Sequence, residues 1–310
     1  DIFTEEEEQQ QNAPPDPGGV QSPQVVIQFR NGFTSTKERN VFQIRFTHPS
    51  SSCSTPDMRT AGFAQIAQSL KKAGLVPGWR NELYVVRAYS VSPTTTSTDH
   101  SSALDLGAIE RAVTSILGMA QFGVHANLFI SDTAGLHEKN IWIAQRSATK
   151  ATWPSCWDTA VAGGLAYQEN IKECMERECE EEAGIAVDIA AKALRQVSAI
   201  SYSCWFNNHD VFHDIDYIFD MKVSADFVPA PADGEVSHFK CLSAAELLHR
   251  LQHPAEFPFM PSAFLTFVDL LCRLGYITVE TTPQYLDLLR SLRTVPPRDI
   301  IDWSTYSDGD

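Results

Sequence analysis

Gly163–Ile185 reads GGLAYQENIKECMERECEEEAGI. Residues 170–183 contain no Gly or Pro and are rich in strong helix formers, and Gly184 supplies a C-terminal stop. The spacing therefore predicts a helix over 170–183. On a helix, positions three and four apart share a face. Ile171, Cys174 and Met175 form an apolar stripe that should face the core, and Glu178, Glu181 and Glu182 continue that stripe in the last turn. Three like charges on one face repel one another. They also sit where the helix dipole disfavours anions by roughly 0.3–1 kcal/mol each. A divalent cation would turn both penalties into binding energy, and hard oxygen ligands suit magnesium or manganese. Glu173, Glu176 and Glu180 fall on the opposite side and read as a solvated face.

Working outward, the fixed positions are Gly163, Glu169, Arg177, Glu178, Glu181, Glu182, Gly184 and Ile185. This set resembles the signature of the Nudix hydrolase family, with Cys179 where a larger aliphatic residue is usual. The resemblance extends through GWRNELYVV (78–86), ERA (110–112), FGVHANLFI (122–130), IWIAQRSATKATWP (141–154), WDTAVAGGL (157–165) and ADGEVSHF (232–239). That ordered set is similar to the thiamine pyrophosphokinase-related Nudix proteins, which carry a small extra domain ahead of the Nudix domain. The resemblance covers roughly 40–290. It departs from the subfamily at Ser155–Cys156–Trp157, at Thr159, and at Phe257–Pro258–Phe259–Met260. These departures fall on substrate-side loops and leave the metal helix untouched.

The resemblance implies an α/β fold with a mixed sheet: a Nudix α/β/α sandwich preceded by a smaller α+β domain. It implies Mg²⁺- or Mn²⁺-dependent cleavage of a diphosphate, with thiamine diphosphate or its oxidised or damaged analogues as substrate. The metal ligands would be Glu178, Glu181, Glu182 and the carbonyl of Gly163. Glu178 doubles as the candidate general base, oriented by Arg177, while Glu169 and Gly184 are structural. Arg146 and Lys150 could hold phosphate oxygens, and Trp153 and Trp157 could stack on a flat ring. Glu235 could supply a further carboxylate from a downstream strand, the alternative being a plain turn residue after Asp233–Gly234.

Two other readings compete. In an isomerase resembling isopentenyl diphosphate isomerase, Cys156 would be catalytic. A non-catalytic module would bind a diphosphate without turning it over. His209 with His213, and His249 with His253, have metal-like spacing but read as structural or solvent-facing, because no cysteine completes a zinc set.

The chain has 310 residues and a net charge of −15, from 39 acidic and 24 basic side chains. That balance argues against nucleic-acid partners, whose phosphates dominate affinity. No apolar run of 18 suggests a membrane span. Seven cysteines without a C-x-x-C suggest reduced thiols and a cytoplasmic protein. A small-molecule diphosphate is the expected partner, and a homodimer is an option for the assembly.

The expected organisation is a disordered acidic segment (1–24), an accessory α+β domain (25–122), a Nudix domain (123–280) and a C-terminal helix with tail (281–310). Within it, helices are expected over 58–73, 106–119, 244–252, 263–274 and 283–292. Strands are expected over 83–87, 124–130, 141–145, 159–162, 196–205, 216–222 and 236–242. Residues 90–102 and 131–140 read as loops.

Overall fold

Two long central strands set the frame. The computed structural model describes residues 24–32, 39–47, 55–76, 78–87, 105–130, 140–206 and 210–294. The acidic N-terminal segment, the 90–102 loop, the turn-rich stretch 131–139 and His209 lie outside them. Strand β5 (Ala120–Ile130) runs parallel to β10 (Asp210–Val223), with Phe122 opposite Ile215 and Asp216 opposite Gly123. Antiparallel neighbours extend the sheet. On one side lies β9 (Arg195–Phe206), and on the other β6 (Asn140–Arg146) and then β11 (Val236–Ser243). Two short strands, β7 (Trp157–Thr159) and β8 (Val161–Gly164), wedge between β5 and β6. β6 pairs with β5 only through Trp142–Asn140 and then turns to β7, while the first half of β5 takes β8. The sheet therefore splits where the glutamate-rich segment begins.

Both faces of this mixed sheet are covered, which gives a three-layer α/β/α sandwich. One face holds Val124, Ala126, Leu128, Phe219 and Met221 against Cys174, Met175, Cys179 and Ala183 of α3 (Ile171–Ala183) and Ala190 of α4 (Val187–Ala193). The other packs Ile141, Ile143, Ile200 and Ile218 against α5 (Ala244–Leu251), α6 (Pro261–Arg273) and α7 (Tyr285–Ser291). The last helix is stitched on beyond its end: Ser201 N–H donates to Leu292, and Thr294 N–H to Ser201.

The preceding unit packs α1 (Pro56–Lys72) on a hairpin of β3 (Leu83–Arg87) and β4 (Asp105–Glu110) around Phe63, Ile66, Val86, Ile109 and Val113. Farther upstream, β1 (Gln24–Gly32) and β2 (Arg39–Thr47) form an antiparallel pair. Thr55 caps α1 by accepting from Met58 N–H, and Pro56 opens its first turn.

One expected helix is corrected. The sequence predicts a helix over 106–119, yet 105–110 is a strand and only α2 (Arg111–Thr114) is α-helical. Ile109 and Val113 do share the core. Ladder bonds to β3 nevertheless hold the first half extended, and Gly107 lets α1 approach: an added Cβ would lie 3.0 Å from Thr60 Oγ1. The expected strand over 159–162 is broken at Ala160, and α4 was not anticipated. Strand β10 begins at Asp210 rather than 216, so His213 sits on a strand and not in a loop.

Candidate active site

Helix α3 is placed by its caps. Asn170 accepts from Glu173 N–H at 2.9 Å, and Gly184 ends the helix in the left-handed conformation, φ 66°. Its inward face buries Cys174, Met175, Cys179 and Ala183, and Glu178 and Glu182 lie buried on that same face. Glu173 and Glu180 are exposed as expected. Glu176 is partly buried and paired with Lys172 at 3.1 Å, which corrects its reading as a solvated residue. Glu181 is also corrected: its side chain is 47% exposed and stands at the edge of the stripe, not within it.

Arg177 organises the cluster. It donates to both oxygens of Glu169 at 2.7 and 3.0 Å, to Glu178 Oε1 at 2.8 Å and to Glu181 at 2.7 Å. Burial would raise Glu169, but this fork holds it below the usual carboxylate range. Glu178 goes the other way. Burial pushes it up to about 7 despite Arg177. Burial also raises Glu182, which accepts from Ala162 N–H at 2.8 Å and faces further negative charge from Glu178 and Asp158. Gly163 is required here, because a Cβ would fall 2.0 Å from Glu178 Oε1.

These groups line a cavity of about 770 Å³ together with residues from distant elements. His125 on β5 and Asp158 on β7 lie on its floor, with Tyr202, Asp214 and Asp216 from β9 and β10. The preceding unit supplies Arg80, Tyr84 and Arg111. Its hairpin is bonded to the glutamate-bearing loop: Tyr167 N–H donates to Leu83 at 3.0 Å, and Tyr84 bridges Ala166. Arg111 stacks over Tyr84 at 5.0 Å.

Among the expected substrate-side residues, Lys150, Trp153 and Glu235 line the cavity, and Lys150 pairs with Glu235. Arg146 also lines it but serves as a strut. It donates to the carbonyls of Trp153 and Thr152 at 3.1 and 3.0 Å and to Asp158 at 2.9 Å. Trp157 is displaced from the role assigned to it. Strand alternation turns Asp158 to the cavity and Trp157 to the opposite core, where it stacks on Phe257 at 4.9 Å. Cys156 is absent from the cavity wall, and burial raises its thiol, which opposes a nucleophilic role. His249 stacks on His253 at 4.4 Å outside the cavity, and His213 bonds Ser203 at 2.6 Å.

Residues 122–263 match the NUDIX domain family. Its match to an uncharacterized protein of Saccharomyces cerevisiae is 34% identical and covers 71% of this chain and 63% of that one. A match to Nudix hydrolase 24, chloroplastic, of Arabidopsis thaliana is also 34% identical and covers 77% and 60%. The chain thus spans less than two thirds of the length of these relatives. Among solved structures, the MutT protein of Methanosarcina mazei Go1 aligns at 19% identity with a TM-score of 0.37, over 51% of this chain and 96% of that one. The matches to the yeast and plant proteins extend beyond the NUDIX domain.

The donor set suits a hard cation. Glu178 and Glu182 are buried carboxylates raised by burial, and Asp216 Oδ2 has no hydrogen-bond partner among the described residues. Arg177 pairs with Glu178 Oε1 as well as with Glu169 and Glu181, whereas Glu182 accepts from a backbone N–H. No three acidic, histidine or cysteine side chains among the described residues already converge at ligation geometry. The fit therefore rests on carboxylate chemistry: two glutamates buried on one helix face with a single arginine contact between them. No described helix is long and apolar enough to cross a membrane.

Proposed function

We propose that this chain is a metal-dependent hydrolase of a diphosphate bond, with thiamine diphosphate and its oxidised analogues as the first substrates to test. The observation that carries the reading is the pair Glu178 and Glu182, buried beside Gly163 at the foot of a large polar cavity. One arginine contact, to Glu178, serves two carboxylates buried side by side, and a divalent cation would neutralise the charge that remains once both are ionised. The plant relative, a Nudix hydrolase by name, and the NUDIX match support the reaction class. The segments shared with the thiamine pyrophosphokinase-related proteins support the substrate.

Glu178, Glu182, the nearby Glu181 and the Gly163 carbonyl would hold Mg²⁺ or Mn²⁺. The ion supplies charge neutralisation of the diphosphate and acidification of water. Arg177 ties Glu178 Oε1, which leaves Oε2 to accept a proton. Lys150 and Arg111 present cations to the cavity, and Trp153 offers a ring. Hydrolysis assays with thiamine diphosphate, its oxidised analogues, ADP-ribose and nucleoside diphosphates, in magnesium or manganese, test the proposal. Monophosphate release that persists undiminished in Glu178→Gln overturns it. Full activity in Cys156→Ala removes the isomerase chemistry, and tight calorimetric binding without turnover would favour the binding module.

A further inference from the structure

The arginine and lysine side chains lining the cavity are Arg80, Arg111, Arg146, Lys150 and Arg177. Those inside the NUDIX match are engaged by the protein itself. Arg146 donates from Nε, Nη1 and Nη2 to Trp153, Asp158 and Thr152. Arg177 is bound to three glutamates, and Lys150 pairs with Glu235. Arg80 and Arg111 come before residue 122, where that match begins. Arg111 spends only Nη1, on Glu82 Oε2 at 2.8 Å. Its Nε and Nη2 have no hydrogen-bond partner among the described residues, and its side chain is 38% exposed. Nε and Nη2 form the guanidinium edge that offers two parallel N–H groups to an oxyanion such as phosphate.

The hairpin fixes where that edge stands. Arg111 N–H donates to the Glu82 carbonyl at 2.9 Å, and Arg111 Cζ lies 5.0 Å from the centre of the Tyr84 ring. Buried Glu110 ties the neighbouring backbone together by accepting from Arg80 N–H at 2.9 Å and Ala112 N–H at 3.3 Å. Tyr84 in turn abuts the loop that carries Gly163. A Cβ on Gly164 would fall 1.9 Å from the Tyr84 hydroxyl, and one on Gly163 would fall 2.0 Å from Glu178 Oε1. The hydroxyl and the carboxylate therefore flank one short piece of backbone. That hydroxyl has no hydrogen-bond partner among the described residues, and a phenol at neutral pH has a proton to donate. The guanidinium charge is felt across the cavity. Burial raises the Asp214 carboxyl of β10, while the Tyr202 hydrogen bond and the Arg111 charge pull it down.

We propose that the unit ahead of the NUDIX match supplies the phosphate-binding edge of the site: Arg111 Nε and Nη2, with the Tyr84 hydroxyl beside them, donate to non-bridging oxygens of the substrate diphosphate. The subsite rests on the diphosphate reading given above and assigns the grip on that diphosphate to residues outside the NUDIX match. The acidic wall of α3 repels such an anion until a cation covers it, so an arginine with unspent donors opposite that wall decides how tightly the diphosphate is held. Arg111 and Tyr84 act here in binding, and no proton moves.

The probe is methylene diphosphonate, which has no P–O–P bond to hydrolyse. Its affinity is measured by calorimetry on the full chain with Mg²⁺ present. Arg111→Gln should weaken binding roughly tenfold or more, the range for hydrogen bonds to a charged group. Arg111→Lys keeps the charge, loses the paired edge and should fall between the two. Tyr84→Phe keeps the ring and should weaken binding by about threefold or more. Glu82→Gln breaks the same ion pair but keeps the guanidinium, so its loss should be much smaller than that of Arg111→Gln. Urea midpoints identify any variant that loses its fold. Should Arg111→Gln be one, Arg111→Lys must still bind more weakly than the unsubstituted chain. Equal losses in Arg111→Gln and Glu82→Gln would make Arg111 a brace and overturn the subsite. Unchanged affinity in Arg111→Gln, or no binding of the probe by the unsubstituted chain, overturns it too. Turnover of diphosphates is scored separately. Turnover by a chain whose probe affinity ignores Arg111 removes the subsite and keeps the hydrolase, whereas Arg111-dependent affinity without turnover does the reverse.

Discussion

Helix α3 and strand β10 border the same cavity and hold buried acids by different means. On α3 the carboxylates are served locally. Asn170 and Gly184 set the helix, Arg177 reaches Glu169, Glu178 and Glu181, and Ala162 N–H caps Glu182. On β10 the acids depend on residues far away in the chain: Asp214 on Tyr202 of β9, and Asp216 on room left by Gly123 and on His125 of β5. On the proposed reading, a cation would complete the helix wall. The strand wall leaves Asp216 Oδ2 without a hydrogen-bond partner among the described residues.

The largest expected effect separates chemistry from recognition. Glu178→Gln should lower kcat by about 10²–10⁴-fold, the range for losing a positioned proton acceptor, while KM changes little. Steady-state kinetics on the best diphosphate of the panel checks it. A comparable kcat loss in Asp216→Asn would erase the division between the two walls.

The same contrast explains what could be read in the sequence. The helix wall was legible because the stripe, caps, arginine and glycines fall within one short segment and obey one period. Glu178 and Glu182 followed from that period. Glu181 lies near the stripe's edge, where a face count cannot separate buried from exposed, and there the reading failed. The β10 wall was opaque. Asp214 and Asp216 stood in a segment read partly as a loop, and nothing local says that Asp216 will meet Gly123 across a parallel pair. His125 sits within an apolar strand, where a histidine is ordinarily satisfied core. The alternation Trp157-Asp158-Thr159 was a usable signal: a strand turns Trp157 and Asp158 to opposite faces, so both cannot face one ligand. The helix expected over 106–119 failed because an i, i+4 apolar pair also occurs where a strand turns into a short helix.

Trp157→Ala sharpens that point. It should destabilise the chain by about 3–5 kcal/mol, as for an aromatic lost from a core, with kcat/KM per folded molecule little changed. Trp153→Ala should do the opposite, raising KM with little loss of stability, since its ring lines the cavity. Urea denaturation and kinetics on the two variants distinguish the roles. Equal stabilities for both would contradict the inward placement of Trp157.

The helix wall should also make stability depend on pH. Burial raises Glu178 from 4.5 to about 7, so between those values the folded chain holds a proton that the unfolded chain has released. Stability contributed by the protonated form is complete below the unfolded value and lost as pH rises through the folded one. His125, lowered by burial, works in the opposite direction below its ordinary value. The diagnostic is therefore the difference between Glu178→Gln and the unsubstituted chain without metal. That difference should grow in favour of the variant from about pH 5 to pH 8, by up to ~3 kcal/mol. Millimolar Mg²⁺ should shrink it, because a ligand of the folded state adds stability by mass action. A difference independent of pH would place Glu178 in water and remove the case for a cation.

The smallest expected effect concerns the preceding unit, which the helix wall needs although it lies before the NUDIX match. Tyr84 is buried against the glutamate-bearing loop, and a Cβ on Gly164 would fall 1.9 Å from its hydroxyl and 2.8 Å from Cζ. Tyr84 has little room to yield, since its strand pairs with β4, its backbone bridges Ala166 and Arg111 covers its ring. Gly164→Ala should therefore cost about 1–3 kcal/mol through overpacking. In a Tyr84→Leu background the atoms that clash are gone, so the same substitution should cost markedly less, leaving a coupling energy of about 1 kcal/mol or more in a double-mutant cycle. Additive effects would mean that Tyr84 and Gly164 do not press on one another. The hairpin would then merely border the cavity. Coupling would mean that the accessory hairpin helps hold the loop carrying Gly163, and through it the seat of Glu178.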